Sequence, residues 1–395
     1  MGVGRFVYTP ILPLMHAQVG LSAGAGANLA TANYVGYLVG ALAGTLLPRL
    51  MRSAYVLRGS LLALVASLAA MPLTHSTTPW LVLRLGAGVF SALIFVIAAS
   101  SLLSHLRDHP ARLPGWAFGG VGAGIALSGL LVLGLRTVGT WRAAWWASAA
   151  LAAVLTLVAW GLRPEPAPAG PNSSPSATQG KTSVPRTHRW FGTLFASYTL
   201  EGIGYIIAGT FLVAAIEQSS PGWIGSGAWV LVGLAAIPSS ALWAGLGRRW
   251  SRPDLLLAAL GVQAVGIALP ALVGGVTAAL ISAVLFGSTF IGVSTLALAA
   301  GAHLRFPRAV ALLTAGYSVG QTLGPLVAAP LLHHGYHQAL ILASVIVLTS
   351  ALAALILRIG FPHHMPTPGR LVRGSKPAPS HRMASLDAAE GQAAE

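Results

Sequence analysis

Twelve mostly apolar stretches, each near the length needed to cross a bilayer, constrain this chain more than any single motif in it. A spanning helix needs roughly 20 such residues, with a range of about 17–25. The stretches fall near 1–16, 25–47, 54–73, 79–103, 116–135, 143–162, 190–216, 222–246, 255–274, 276–300, 309–332 and 338–358, and are numbered below as spans 1–12. Only Gly274 and Gly275 divide span 9 from span 10, a glycine break between two apolar runs. Composition agrees, because the chain is 55% hydrophobic and 8% charged, against about 25% charged in a soluble domain. The spacing predicts an all-α polytopic membrane protein.

The net charge of +15 could suggest a nucleic-acid partner. Its distribution speaks against one, because the basic residues form neither a single patch nor a basic helix. They punctuate alternate loops: Arg49 and Arg52 after span 2, Arg107 and Arg112 after span 4, and Arg163, Lys181, Arg186 and Arg189 around the middle. Arg248, Arg249 and Arg252 follow span 8, Arg305 and Arg308 follow span 10, and Arg358, Arg370, Arg373, Lys376 and Arg382 close the chain. The loops after spans 1, 3, 7, 9 and 11 hold no Lys or Arg. By the positive-inside rule both termini are expected in the cytoplasm, although Arg136 and Arg142 depart from the pattern. With no cysteine, a disulfide framework and cysteine-ligated metal are excluded.

The Pro/Ser/Ala/Thr-rich stretch 163–189 reads as a cytoplasmic linker. It divides an N-terminal six-helix bundle, 1–162, from a C-terminal one, 190–360, and a polar tail, 361–395, is expected to be disordered. The halves resemble each other. Gly2, Gly4, Leu42, Leu46, Arg49 and Arg52 match Gly202, Gly204, Leu242, Leu246, Arg249 and Arg252 at an offset of 200. Gly120, Gly124 and Ser128 match Gly316, Gly320 and Gly324 at 196. A parallel repeat of this kind builds a midplane site between two bundles. Rows of small residues such as Gly36, Gly40 and Gly44 read first as packing seams.

Three ionisable residues fall inside spans, where burying a charge demands a reason. Glu201 follows Trp190 by eleven residues, or roughly 16 Å at ~1.5 Å per residue, near the middle of a ~30 Å core. Tyr198 and Tyr205 share its helical face. Burial there favours the neutral acid and a nearby arginine favours the carboxylate, a balance suited to a reversible proton carrier. Arg5 is placed near midplane with Tyr8 and Thr9 beside it, able to grip a carboxylate or phosphate or to neutralise Glu201. Arg84 either joins the site or snorkels to the outer surface, and snorkelling is the better reading for Arg58. Asn33, Gln263, Ser294, Thr295, Tyr317 and Gln321 are uncharged polar residues in spans, more often interhelical bonds than ligand contacts. His333, His334 and His337 read as a solvated outer loop, and no metal or other cofactor is expected. No phosphate loop, zinc-protease motif or Gly-rich nucleotide turn is found, and eight acidic residues leave little for an enzyme.

The segments Gly2–Met15, Ala32–Tyr37, Leu200–Tyr205 and Gly320–Pro325 resemble spans 1, 2, 7 and 11 of the YbfB/YjiJ-type transporters of the major facilitator superfamily. The resemblance runs from residue 1 to about 358. It implies a bacterial inner-membrane, proton-driven carrier whose spans 1, 4, 7 and 10 line the cavity, which places Arg5, Arg84 and Glu201 on cavity-lining helices. Arg84–Gly88 also resembles an RxxxG element associated with proton coupling in the superfamily. The loop Gly44–Arg52 keeps the glycine and arginines of a gating motif without its aspartate, and span 5 lacks the Gly-Pro signature of drug antiporters.

The expectation is therefore a secondary transporter moving a small organic solute by alternating access, coupled to protons. Glu201 and Arg84 would serve coupling, and Arg5, Tyr8, Thr9, Tyr205, Asn33 and Gln321 would bind substrate. Arg49, Arg52, Arg249 and Arg252 would act in the gating loops. Expected partners are the solute, protons and lipid, with no nucleic acid and a monomeric state. The rival is a transport-inactive receptor or scaffold that retains the fold. One further expectation concerns the beginning: span 1, about 16 residues long and without a basic flank, reads as lacking its cytoplasmic half, as a misplaced start would produce.

Overall fold

Short polar side chains set where several helices begin. Ser22, Ser53, Thr140 and Ser251 each accept a hydrogen bond from a backbone N–H three residues on, at 3.1, 3.4, 3.2 and 3.3 Å. Such caps satisfy donors that have no intrahelical partner. The computed structural model describes residues 1–47, 49–105, 112–135, 139–162, 164, 187–220 and 222–362. Most of the expected linker and tail lies outside them, as do Arg107, Arg136, Arg163, Lys181 and Arg186. Among the described residues there is no strand.

Helices occupy all twelve expected spans. In order they are Gly2–Phe6 with Tyr8–Val19, Ala23–Leu46, Ala54–Ala70, Thr77–His105, Arg112–Leu135, Trp141–Ala159, His188–Ser219, Ile224–Leu246, Arg252–Leu272, Gly275–His303, Ala309–Ala328 and Tyr336–Arg358. Ten described helices are long and apolar enough to cross a membrane. The break between spans 9 and 10 falls at Gly274 and Gly275, whose φ values of 67° and 78° lie in the left-handed region that favours glycine.

Span 1 differs from the single run expected over 1–16. It extends to Val19 and is interrupted at Val7. Pro10 has no N–H to give Phe6, four residues back, and its ring crowds that carbonyl, so the helix is punctuated one turn before the proline.

Span 7 is the most enclosed of the ten, with 83% of its most apolar window buried. The small-residue rows are packing seams, as expected. A Cβ on Gly233 in span 8 would lie 2.2 Å from the Ala126 nitrogen in span 5, so these two helices touch backbone to backbone. The repeat reappears as repeated contacts. A Cβ on Gly124 would sit 2.7 Å from Gly2 Cα, and one on Gly320 would sit 3.3 Å from the Gly202 carbonyl carbon, which joins span 1 to 5 and span 7 to 11. A Cβ on Gly88 would lie 2.0 Å from Asn33 O, and one on Gly287 would lie 2.3 Å from Val232 O, with both residues of the second pair displaced by 199.

A cleft of about 790 Å³ opens between span 2 and spans 10–11 at their arginine-bearing ends. Leu38, Leu42, Phe306 and Val310 line it, and it reaches Ser318. At the opposite end, span 2 packs against the short helix Ala329–His334.

Candidate functional site

Three charged side chains are buried among the described residues: Arg5, Arg84 and Glu201. Their helices are spans 1, 4 and 7. Glu201 lies thirteen residues from the start of His188–Ser219 and eighteen from its end, with no exposed surface. Its Oε1 accepts a 3.2 Å hydrogen bond from Gln263 Nε2 of span 9, and its Oε2 has no hydrogen-bond partner.

Arg5 does not pair with Glu201, one of the two roles its position suggested. Its Nη2 donates to Gln321 Oε1 of span 11. Its guanidinium carbon lies 4.1 Å from the Tyr37 ring centre and 5.3 Å from those of Tyr34 and Phe6. Arg84 is 2% exposed, which settles its position against snorkelling. Its Nη2 donates at 3.5 Å to the Arg5 carbonyl, and its guanidinium carbon lies 4.7 Å from the Tyr8 ring centre. Asn33 Nδ2 donates to the Arg84 carbonyl at 2.9 Å, at the crossing where Gly88 meets Asn33. Arg58, by contrast, donates to the Trp160 carbonyl at 3.3 Å near the arginine-bearing end of span 3.

The remaining expected residues divide into two groups. Tyr8 donates to Gly26 O at 2.9 Å, and Thr9 donates to Gly209 O at 2.6 Å across spans 1 and 7. Both hydroxyls therefore hold backbone. Tyr205 belongs to a ladder of nearly parallel rings. Its centre lies 5.5 Å from Tyr317 and 5.7 Å from Phe290, and Tyr317 stacks on Tyr198 at 4.3 Å. Arg49, Arg52, Arg249 and Arg252 are exposed at helix ends and do not join this group.

Tyr34, Tyr37 and Phe290 were not anticipated as part of the site. Tyr37 follows Asn33 by four residues and so shares its face, a signal present in the sequence. Tyr34 donates to or accepts from Thr210 at 2.9 Å, which ties span 2 to span 7 as Thr9 ties span 1 to it.

A planar guanidinium held among rings predicts a strict need for arginine. Arg5→Lys keeps the charge but loses the fork. One charged hydrogen bond contributes about 1.5–3 kcal/mol, so transport by the lysine variant is expected to fall about tenfold or more, close to Arg5→Ala. Full activity with lysine, in uptake by matched amounts of folded protein, would mean that Arg5 acts only as a local charge.

A family model described as "uncharacterised MFS-type transporter YbfB" matches residues 1–357. The chain belongs to this family. A solved structure of a nucleoside transporter, a variant of NupG, is similar at 12% identity, covering 90% of this chain and 98% of that one with a TM-score of 0.66. At that identity the likeness establishes the fold alone. No curated protein matches the chain. The MFS-type chain is thus a multi-pass membrane transporter with the major facilitator fold, as the sequence resemblance implied. Arg5, Arg84 and Glu201 are the charged residues buried within it among the described residues.

Proposed function

We propose that this MFS-type protein is a proton-coupled secondary transporter that carries a small organic solute across a bacterial inner membrane by alternating access. The observation that carries the reading is Glu201: a wholly buried acid, mid-helix in span 7, bonded by a neutral amide and by no cation. A structural carboxylate at such depth would be expected to have a cationic partner. A carrier of protons needs a group that can hold its charge on one side of the cycle and lose it on the other.

The N-terminal bundle, 1–162, and the C-terminal bundle, 190–360, rock about this centre, with the 163–189 segment as a cytoplasmic linker. The arginine-bearing helix ends face the cytoplasm under the positive-inside rule, which puts both termini there. The cleft between span 2 and spans 10–11 then supports a state open toward the cytoplasm. A receptor or scaffold would have no use for an acid held at this depth by neutral groups and no cation.

The test is reconstitution into vesicles that hold a pH-sensitive dye, followed by addition of solutes from a chemical library under an imposed pH gradient. Solute-dependent proton movement is expected with the native chain and absent from empty vesicles. Solute movement without proton movement would contradict coupling, and a chain that moves no solute would favour the receptor reading.

A further inference from the structure

Arg5 and Arg84 share a feature that proton coupling does not require. Both are lodged among aromatic rings, the Arg5 guanidinium carbon over Tyr37, Tyr34 and Phe6 and that of Arg84 over Tyr8. Their edges are less well served. Nε of both residues and Nη1 of Arg84 make no hydrogen bond within the protein. A guanidinium binds a carboxylate through its edge, in its own plane, with parallel N–H bonds. Here three such N–H positions have no protein partner, and the buried charges among the described residues are two arginines and one acid.

The ring ladder lies near Arg5. Gln321, which accepts from Arg5, follows Tyr317 by one turn of span 11, so the ladder and the guanidinium meet on one helix. Tyr205 and Tyr317 are both close enough to Arg5 to interact with it electrostatically. Rings from spans 7, 10 and 11 stand within 13° of parallel along Tyr198, Tyr317, Tyr205 and Phe290. Tyr317 and Phe290 flank Tyr205, so another flat ring would join this offset stack by shifting one of them.

We propose that the solute is an aromatic carboxylate, its carboxylate held by the edges of Arg84 and Arg5 in place of Gln321 and its ring stacked on the ladder at Tyr205. This deepens the transporter reading and rests on it. An aromatic cation is disfavoured despite the rings, because two buried guanidiniums repel it.

The test is binding to the purified full chain, read as a saturable rise in melting temperature. The probes are benzoate, 1-naphthoate, cyclohexanecarboxylate, benzyl alcohol and benzylammonium. The two aryl carboxylates are expected to bind about two- to tenfold more tightly than cyclohexanecarboxylate, the range that an aromatic pair supplies. Benzyl alcohol and benzylammonium should show no saturable effect. Tyr205→Leu should bring the aryl-to-cyclohexyl ratio close to one, while Tyr205→Phe preserves it. Arg84→Gln should abolish the response to all the carboxylates. Equal affinity for cyclohexanecarboxylate, saturable binding of benzylammonium, or no binding of either aryl carboxylate would overturn the proposal. Because no gradient is applied, a failure here is distinct from a failure of proton coupling in vesicles.

Discussion

Glu201→Gln is expected to abolish uphill accumulation while leaving solute exchange across the membrane largely intact. Glutamine keeps the size and hydrogen-bonding reach of the side chain but holds no exchangeable charge. A gradient of ~1 pH unit supports about tenfold accumulation per coupled proton, since about 1.4 kcal/mol is a tenfold ratio. In the variant the internal and external concentrations should come to equality. Exchange should survive because the Arg5–Gln321 contact does not involve the carboxylate and glutamine can still bond the Tyr317 rung of the ladder. Charge also gives coupling a direction. Protonating Glu201 removes the one buried negative charge among the described residues, which would oppose an anion, so proton and anion binding favour each other, and the linkage is reciprocal. Anion affinity should therefore strengthen as pH falls. Uphill transport by Glu201→Gln would remove Glu201 from the coupling step.

The second large effect concerns packing. Gly88→Ala should destabilise the protein and displace Arg84, whereas Gly86→Ala, two residues away on the same helix, should be nearly silent. A Cβ at position 88 would lie 2.0 Å from the Asn33 carbonyl oxygen and 2.8 Å from the Tyr37 nitrogen, both backbone atoms that cannot swing aside. At position 86 the nearest atom, Phe90 Cε2, would lie at 3.6 Å, an ordinary contact. Overpacking typically costs about 1–3 kcal/mol. Here it also pulls span 2 away from the Arg84 carbonyl that Asn33 binds. Thermal unfolding of the two variants side by side checks this. Equal stability would mean that spans 2 and 4 do not cross as closely as their backbones indicate.

That crossing shows what the sequence could and could not convey. Rows of small residues announce that two helices meet closely, and Gly36, Gly40 and Gly88 lie at such a meeting. The row does not name the partner helix, because many faces in this glycine-rich chain are equally smooth. The twelve spans were legible because hydrocarbon imposes their length. The break at Val7 was less so, since its cause, Pro10, lies in a run that otherwise reads as one continuous span. Glu201 and Arg5 stood out as costly residues, and both are buried. Their partners did not. Helical spacing relates Glu201 to Tyr198 and Tyr205 on its own helix. Whether it then meets Arg5 or Gln263 depends on how the helices are rotated in the bundle. Gln263 and Gln321 won those positions, and two neutral amides give no charge signal to read.

The central claim is that two halves move about the Arg5–Glu201 centre, exposing it to each side in turn. Distances between spin labels on introduced cysteines test it most directly, because the native chain has none to remove. One labelled pair, Leu42→Cys with Val310→Cys, would flank the cleft at the arginine-bearing end. The other, Asn28→Cys with His333→Cys, would sit at the opposite end, where span 2 meets the Ala329–His334 helix. As pH or solute is varied, the account predicts two populations in which one pair lengthens as the other shortens. Distances that stay fixed in both pairs under all conditions, or that lengthen together, would contradict it.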